Sequence, residues 1–379
     1  MPMTEGPAQA VLRPRDAADV AALIAAARRP LEPVGGATKR AIGRPVDADR
    51  LELAELAGVV AYEPAELVLT AQAATPLAAI ERELGAHGQR LAFEPPDFGA
   101  LHGTAGGQTI GGVLSANLAG SRRVTAGAAR DHFLGFSAVT GAGERFKAGG
   151  KVVKNVTGYD LPKLIAGSWG TLAVLTEVTV RVAPAAELDS TLVIATDSAA
   201  ASVRLCTAAL GSAHDVSAAG FDPRRGTLLR LEGFAASVAA RTAALCAELR
   251  LQPAETIDGA ASRELWHAHA SGAALAGSAI VWRISVPPAD APGVLERVHA
   301  ERYLLDWGGG LILAAFDSVN AARVRSAFSS GHATLIKAPA AERAATAAFQ
   351  PLPPVAAAAA ARIKAAFDPR GVLNPGRMD

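Results

Sequence analysis

Cysteine is almost absent: the 379 residues hold two, Cys206 and Cys246. Both lie in alanine- and leucine-rich stretches of helical periodicity, SVRLCTAAL and RTAALCAEL, and read as small buried thiols rather than a disulfide or redox pair. Two cysteines build no iron–sulfur cluster, c-type haem or cysteine zinc site. Charge of one sign is lacking too. Lys and Arg number 37 against 36 Asp and Glu, a formal net charge of +1, which leaves no basic excess for the phosphates of a nucleic acid. Long hydrophobic runs are missing: the alanine-rich stretch 355–361 is interrupted by Arg362 and Lys364 before it can span a bilayer. The opening MPMTEGPAQAVLRPRD lacks the basic start, apolar core and cleavage site of an export signal. The expectation is a cytoplasmic protein whose membrane contact, if any, is made through a partner. Two phosphate-binding signatures are also missing. No glycine-rich loop ends in Gly-Lys-Ser/Thr at P-loop spacing, and none gives the dinucleotide fingerprint between a strand and a helix, so a Rossmann reading is disfavoured.

What is present exceeds one compact core, and two domains are expected, with the second open to being an insertion in the first. Asp16 is placed to cap a helix in which Val20, Leu23, Ile24 and Ala27 recur at helical spacing, and an extended segment 31–34 follows. A second unit has the extended run LVLTAQA, then Thr75-Pro76 as cap and first helical residue, then Leu77, Ile80 and Leu84 on one face. FSAVT and ERFKA, joined by Gly141-Ala142-Gly143, read as a hairpin. TLAVLTEVTVRV reads as a half-buried strand, closed by Pro184. From about Thr191 to Ala338 two β-α-β-β-like runs predict an antiparallel sheet backed by helices, a second α+β domain. The end, FDPRGVLNPGRMD, carries two tight-turn signals and reads as a docked terminus.

Main-chain N–H groups reach a phosphate only where no Cβ blocks the approach, and glycine also permits the positive φ that turns successive N–H groups to one side. Gly35-Gly36-Ala37-Thr38-Lys39 meets that need, although a plain turn between strands looks the same. The run Gly103 to Gly112 continues through Val113, Leu114, Asn117 and Leu118 as an ordered apolar stretch, which no flexible linker does. Gly149-Gly150 opens a third region punctuated by Gly158, Gly167 and Gly170. Three such regions in one domain suggest one long ligand lying across several backbones.

The pieces PVGGATK, TAQAATPLAAIERELGAHGQRLAFEPPDF, TIGGVLSANLAGSRRVTAGAARDHFLGF, GGKVVKNVTGYDLPKLIAGSWGTL and FDPRGVLNPGRM together resemble the FAD-linked oxidase family that includes vanillyl-alcohol oxidase, D-lactate dehydrogenase and bacterial glycolate oxidase. The likeness is nearest to the E-type subunits of glycolate oxidase and runs over nearly the whole chain. It implies an α+β fold: a PCMH-type FAD-binding domain of two α+β subdomains (1–184), an antiparallel-sheet cap domain (185–345), and a C-terminal segment (346–379) returning to the FAD domain. By matching motif, Gly35, Gly36, Ala37 and Thr38 resemble the pyrophosphate loop, with Gly106, Gly107, Gly111 and Gly112 lining the cofactor from the other side. Asn117 is similar to the family's asparagine. Arg122, Arg123, Arg130 and Asp131 follow it, and the arginines either bind phosphate or pair with carboxylates. By the same resemblance Lys154, Asn155, Tyr159 and Asp160 are expected to face the flavin. Relatives that hold flavin covalently use a histidine in the pyrophosphate loop; Thr38 and Lys39 stand there, so the resemblance implies non-covalent FAD, with His102 the one nearby histidine.

Flavin-dependent oxidation of a 2-hydroxy acid needs a base for the hydroxyl proton, a cation for the carboxylate, and the reacting carbon held against the flavin. The metal-binding histidine motifs of the catalytic relatives are not visible, and no metal site is expected. His267 and His269, two apart on a helix, point to different faces. Arg283 in VWRISVPP is the weak catalytic candidate, for a carboxylate, against a structural pairing. The resemblance implies an FAD-binding subunit of a glycolate oxidase complex, beside a catalytic flavin subunit and an iron–sulfur subunit that supplies the missing redox centre. The alternatives are a stand-alone FAD dehydrogenase of another 2-hydroxy acid or alcohol, and a non-catalytic FAD-binding assembly subunit.

Overall fold

A computed structural model of the chain describes residues 9–104, 106–150 and 158–378. Its strands form three sheets. The first is a small parallel sheet in the order Val11–Leu12, Asp49–Glu52, Leu31–Val34. Helix Ala17–Ala26 covers it because Asp16 accepts from the N–H of Ala18 and Asp19, both at 2.8 Å, and Val20 and Ile24 turn inward. The second sheet is antiparallel and is organised by one long strand, Ala173–Pro184, which pairs with Val68–Gln72, Phe133–Thr140 and the short Gln89–Leu91. Val178, Val180 and Val182 on it are buried, as are Leu77, Ile80 and Leu84 of helix Leu77–Ala86. That helix is capped by Pro76 rather than Thr75. The Thr75 hydroxyl is occupied by the carbonyls of Gln72 (2.6 Å) and Gly58 (3.0 Å), so it fixes the preceding turn instead.

The third sheet has eight antiparallel strands from Leu188–Ile194 onward. Its order resolves the two predicted runs into two β-α-β-β-α-β halves. Calling the four strands of each half 1 to 4 in chain order, the sheet reads 4-1-3-2 and then 2-3-1-4, so the second strands, Val216–Asp222 and Arg302–Asp306, meet at the centre. The halves are covered differently. On the first half, helix Gly259–Ala270 seats Trp266 against Val193, Ala218 and Leu228. On the second, Val281, Leu304, Leu313, Ala315 and Ile336 pack directly on Phe98, Leu101, Ala116 and Trp169 of the N-terminal part.

A buried ionic cluster ties the first half to the N-terminal part. Arg230, 1 % exposed, bonds Asp189 within the cap and reaches Glu94 at 3.0 Å, while Glu232 of the same strand meets Arg122 at 3.0 Å and also Arg90. Three guanidinium groups thus face three carboxylates. Burial alone pushes the Glu232 carboxyl up, but Arg230, Arg122 and Arg90 together overcome it and hold the group at about 2. The tail closes the molecule. Leu31 N–H donates to Val372 (2.7 Å) and Asn374 N–H to Leu31 (3.0 Å), so residues around Leu373 extend the first sheet as a parallel neighbour. Lys364 bonds the carbonyls of Thr171 and Leu373, tying the helix Pro354–Phe367 to both.

Breaking a buried pair leaves uncompensated charge, so Arg230→Met is expected to lower the unfolding free energy by about 3–5 kcal/mol in urea titrations. The depressed Glu232 group makes stability fully present above the unfolded carboxyl value. The wild type should therefore lose stability as pH falls from about 4.5 towards about 2, and Glu232→Gln should flatten that loss.

Candidate cofactor site

Two backbone loops meet face to face between the first two sheets. The carbonyl of Gly107 lies where a Cβ on Gly36 would sit, and the carbonyl of Gly36 lies where a Cβ on Gly106 would sit, so neither position accepts a side chain without separating the loops. The second loop is pinned by main-chain bonds: Leu77 N–H to Gln108 (2.8 Å), Ile110 N–H to Thr75 (3.1 Å) and Gly111 N–H to Ala73 (2.8 Å). A Cβ on Gly111 would stand 2.7 Å from the Ala73 carbonyl. Thr109 caps the short helix Ile110–Ala116.

A groove of about 120 Å³ runs along this seam. Its walls are Glu32 to Arg40 and Leu53 of the first subdomain, Ala73, Ala74, Thr109, Gly111, Gly112, Ser115, Ala116, Trp169, Gly170 and Ala173 to Leu175 of the second, and Asn374 and Arg377 of the tail. Ala37 takes the left-handed conformation (φ 59°), which turns the first loop around the groove. The main-chain N–H groups of Gly35 to Lys39 meet no acceptor among the described residues. Three cations, Lys39, Arg40 and Arg377, face the groove against one carboxylate, Glu32. Glu32 accepts from Arg40 (2.8 Å) and Arg377 (3.3 Å), whereas Lys39 has no carboxylate within ion-pair distance among the described residues and bonds Gln108 of the opposing loop. Free N–H donors, missing Cβ atoms and a surplus of two positive charges suit a pyrophosphate. Burial pulls the Lys39 ammonium down to about 8, only partly offset by Asp97.

Of the residues singled out in the sequence, the structure brings Gly35, Gly36, Ala37, Thr38, Gly111 and Gly112 together on the groove. Gly106 and Gly107 form the opposing loop without lining it. Asn117 ends the helix in the left-handed conformation (φ 49°) and accepts from Arg130 N–H, shaping the chain behind the groove. Arg122 serves the ionic cluster, Arg130 and Asp131 are exposed, and Asp131 accepts from Ala128 N–H. Tyr159 is 89 % exposed. Lys154 and Asn155 lie outside the described residues. Glu32, Asn374 and Arg377 escaped the sequence reading; the signal for the last two was the predicted docking of the NPGR tail, and Glu32 lay within the predicted extended segment 31–34. Among the described residues no histidine, cysteine or tyrosine lines the groove.

The cap presents one further polar spot. Arg283 is buried, lies 4.7 Å over the Trp307 ring, and donates to the Ala119 carbonyl at 3.4 Å without an ion pair. Burial pulls its guanidinium down to about 10, with nearby Asp306 opposing. Asp306 accepts from the Ser121 hydroxyl (2.6 Å) and Trp307 N–H (2.8 Å), and Trp307 Nε1 donates to Gly120, so this spot staples loop to cap. His269 is buried on the Leu305 carbonyl and His267 is exposed, and among the described residues no group of three His, Cys, Asp or Glu is gathered for a metal.

An FAD binding domain model matches residues 8–149, and the chain is 35 % identical over 352 residues to the glycolate oxidase subunit GlcE of Escherichia coli, covering 93 % of each chain. The chain belongs to the GlcE family of FAD-linked oxidases. Part of it, 26 %, is also 39 % identical to 20 % of the glycolate oxidase subunit GlcD of Bacillus subtilis. A solved alkyldihydroxyacetonephosphate synthase shares the fold with TM-score 0.69 over 96 % of this chain and 76 % of its own, at 15 % identity. FAD is thus the cofactor of this GlcE-family chain, the groove with its N–H donors and cations is the candidate place for it, and the PCMH-type α+β architecture expected from the sequence is the one observed.

Two outcomes test the site. Gly36→Ala should raise the FAD Kd at least a hundredfold in flavin-fluorescence titrations, whereas Gly107→Ala, whose Cβ meets open space, should leave unfolding stability within about 0.5 kcal/mol of wild type. A bound pyrophosphate favours charged Lys39, so FAD affinity should fall as pH rises through about 8, and Lys39→Met should remove that dependence.

Proposed function

We propose that this chain is the FAD-binding subunit of a glycolate oxidase complex, supporting oxidation of glycolate to glyoxylate and passing electrons to a partner. The observation that carries the reading is end-to-end similarity to a glycolate oxidase subunit combined with a groove built for the cofactor. Bound FAD would supply two-electron redox chemistry, either taking electrons in the substrate step or relaying them onward. Held by free N–H groups and cations, and with no histidine, cysteine or tyrosine along the groove among the described residues, it is bound non-covalently.

The protein side of the chemistry is incomplete within this chain. Arg283 is the described cap residue suited to a substrate carboxylate. Asp306, whose carboxyl burial pushes upward, is already engaged by two donors, so it anchors the loop rather than serving as a free base. The gap supports a division of labour in which a second, catalytic flavin subunit carries the substrate step. With two free cysteines, the chain supplies no cluster of its own, and an iron–sulfur partner fits the electron path. Among the described residues no helix is long and apolar enough to cross a membrane, and we place the chain in the cytoplasm with any membrane contact made by a partner. For domain limits we propose 1–184, 185–345 and 346–379, since sheet membership changes between Pro184 and Leu188. A stand-alone dehydrogenase is the second reading, favoured by the unpaired Arg283.

The test is the absorbance of the purified chain before and after acid precipitation, followed by dye-coupled glycolate oxidation with and without the partner subunits. Yellow colour released by acid, and activity only in the complex, is the expected result. Activity of the chain alone selects the stand-alone enzyme, and a colourless chain that FAD does not reconstitute removes the reading. In the complex, Arg283→Ala should raise the glycolate KM about tenfold or more; unchanged KM and turnover would assign Arg283 to the loop staple alone.

A further inference from the structure

The tail enters the cofactor groove with a polar atom that the protein leaves unused. Asn374 is 3 % exposed and lines the groove. Its amide is oriented from both ends: Nδ2 donates to the Trp169 carbonyl at 2.9 Å, and its backbone N–H donates to Leu31 at 3.0 Å. That leaves Oδ1 buried without a hydrogen-bond partner among the described residues. A buried amide oxygen without a donor is costly, and such atoms in folded proteins find a partner in a ligand or water. The backbone adopts φ 43° to bring the side chain there. Three residues further on, Arg377 crosses under the first loop and donates to the carbonyls of Lys39 (3.1 Å) and Arg40 (3.2 Å), while its guanidinium lies 5.9 Å from the Trp169 ring. The tail therefore touches the groove and also holds the loop whose N–H groups face it.

We infer that the C-terminal NPGR turn is a clasp of the cofactor site: Asn374 Oδ1 accepts a hydrogen bond from a hydroxyl or amino donor of FAD, and Arg377 is a positioning residue for the pyrophosphate loop. The inference rests on the FAD reading and adds the tail to it. By linkage, a tail that favours FAD binding is itself held down by bound FAD.

Asn374→Gly keeps the left-handed backbone accessible and removes the amide. It should raise the FAD Kd about tenfold, the effect of one lost hydrogen bond, while the melting temperature of the FAD-free chain stays near wild type. In the wild-type chain, added FAD should slow carboxypeptidase trimming beyond Met378 several-fold. An unchanged Kd in Asn374→Gly, or trimming indifferent to FAD, overturns the clasp while leaving the FAD site intact. Wild type that takes up no FAD at all overturns both, which separates the two failures. Should Asn374→Gly fail to fold, Arg377→Lys is titrated instead: it keeps the positive charge but loses the fork that holds the Lys39 and Arg40 carbonyls through Nη2 and Glu32 through Nη1, and a Kd unchanged from wild type again sinks the proposal.

Discussion

Everything in the N-terminal half is arranged around one backbone contact, that of Gly36 against Gly107. The loops approach so closely that neither Gly36 nor Gly106 has room for a methyl group, and this apposition brings the parallel sheet and the antiparallel sheet to a common edge. The groove is the space left beside that edge. Its chemistry follows from the same constraint: a loop without Cβ atoms, packed through its carbonyl side, turns its N–H groups outward, where an anion completes them. Lys39 joins the two loops through Gln108 and adds positive charge at the spot where the N–H donors converge.

The cap is fastened to this arrangement by two different kinds of interaction. Its second half is glued by apolar contact, from Val281 and Leu313 to Phe98 and Trp169, which tolerates small shifts because dispersion is non-directional. Its first half is fixed by charge, through Arg230 and Glu232, where geometry is strict and burial makes a lone partner costly. The Ser121–Asp306 and Trp307–Gly120 bonds sit between the two. Placement of the cap is thus set by directional contacts near its seam and filled in by the core.

Much of the fold was legible in the sequence, and for identifiable reasons. Asp16, Leu77, Ile80 and Leu84, the Gly141–Gly143 hairpin and the change at Pro184 are local signals, and local physics decided them. The two β-α-β-β-like runs were visible as pattern, but their mirror order depends on which strands meet at the centre, which no local signal encodes. Site residues divide in the same way. Gly35, Gly36 and Gly111 were readable because missing side chains leave a trace in sequence. Arg122 was not, since whether an arginine meets phosphate or carboxylate depends on Glu232, a hundred or so residues away on another sheet. Asn374 and Arg377 were recognisable as part of a docked tail, but their arrival at the groove depends on a parallel pairing with Leu31 from the opposite end of the chain.

The mirror order of the cap strands has one more implication. Only at Phe221 and Leu305 do the two halves share a registered pair, and there Gly220 lets His269 and the Leu305 carbonyl come close. The half that carries Arg283 packs broadly on the cofactor domain through apolar contact, whereas the other meets that domain through a few charges around Arg230 and Glu232 and is otherwise covered by its own helices. Sequence drift is therefore unequally permitted within one sheet: the first half is free to be reshaped on its outer surface for new neighbours, and the second is held to the form that the flavin domain requires.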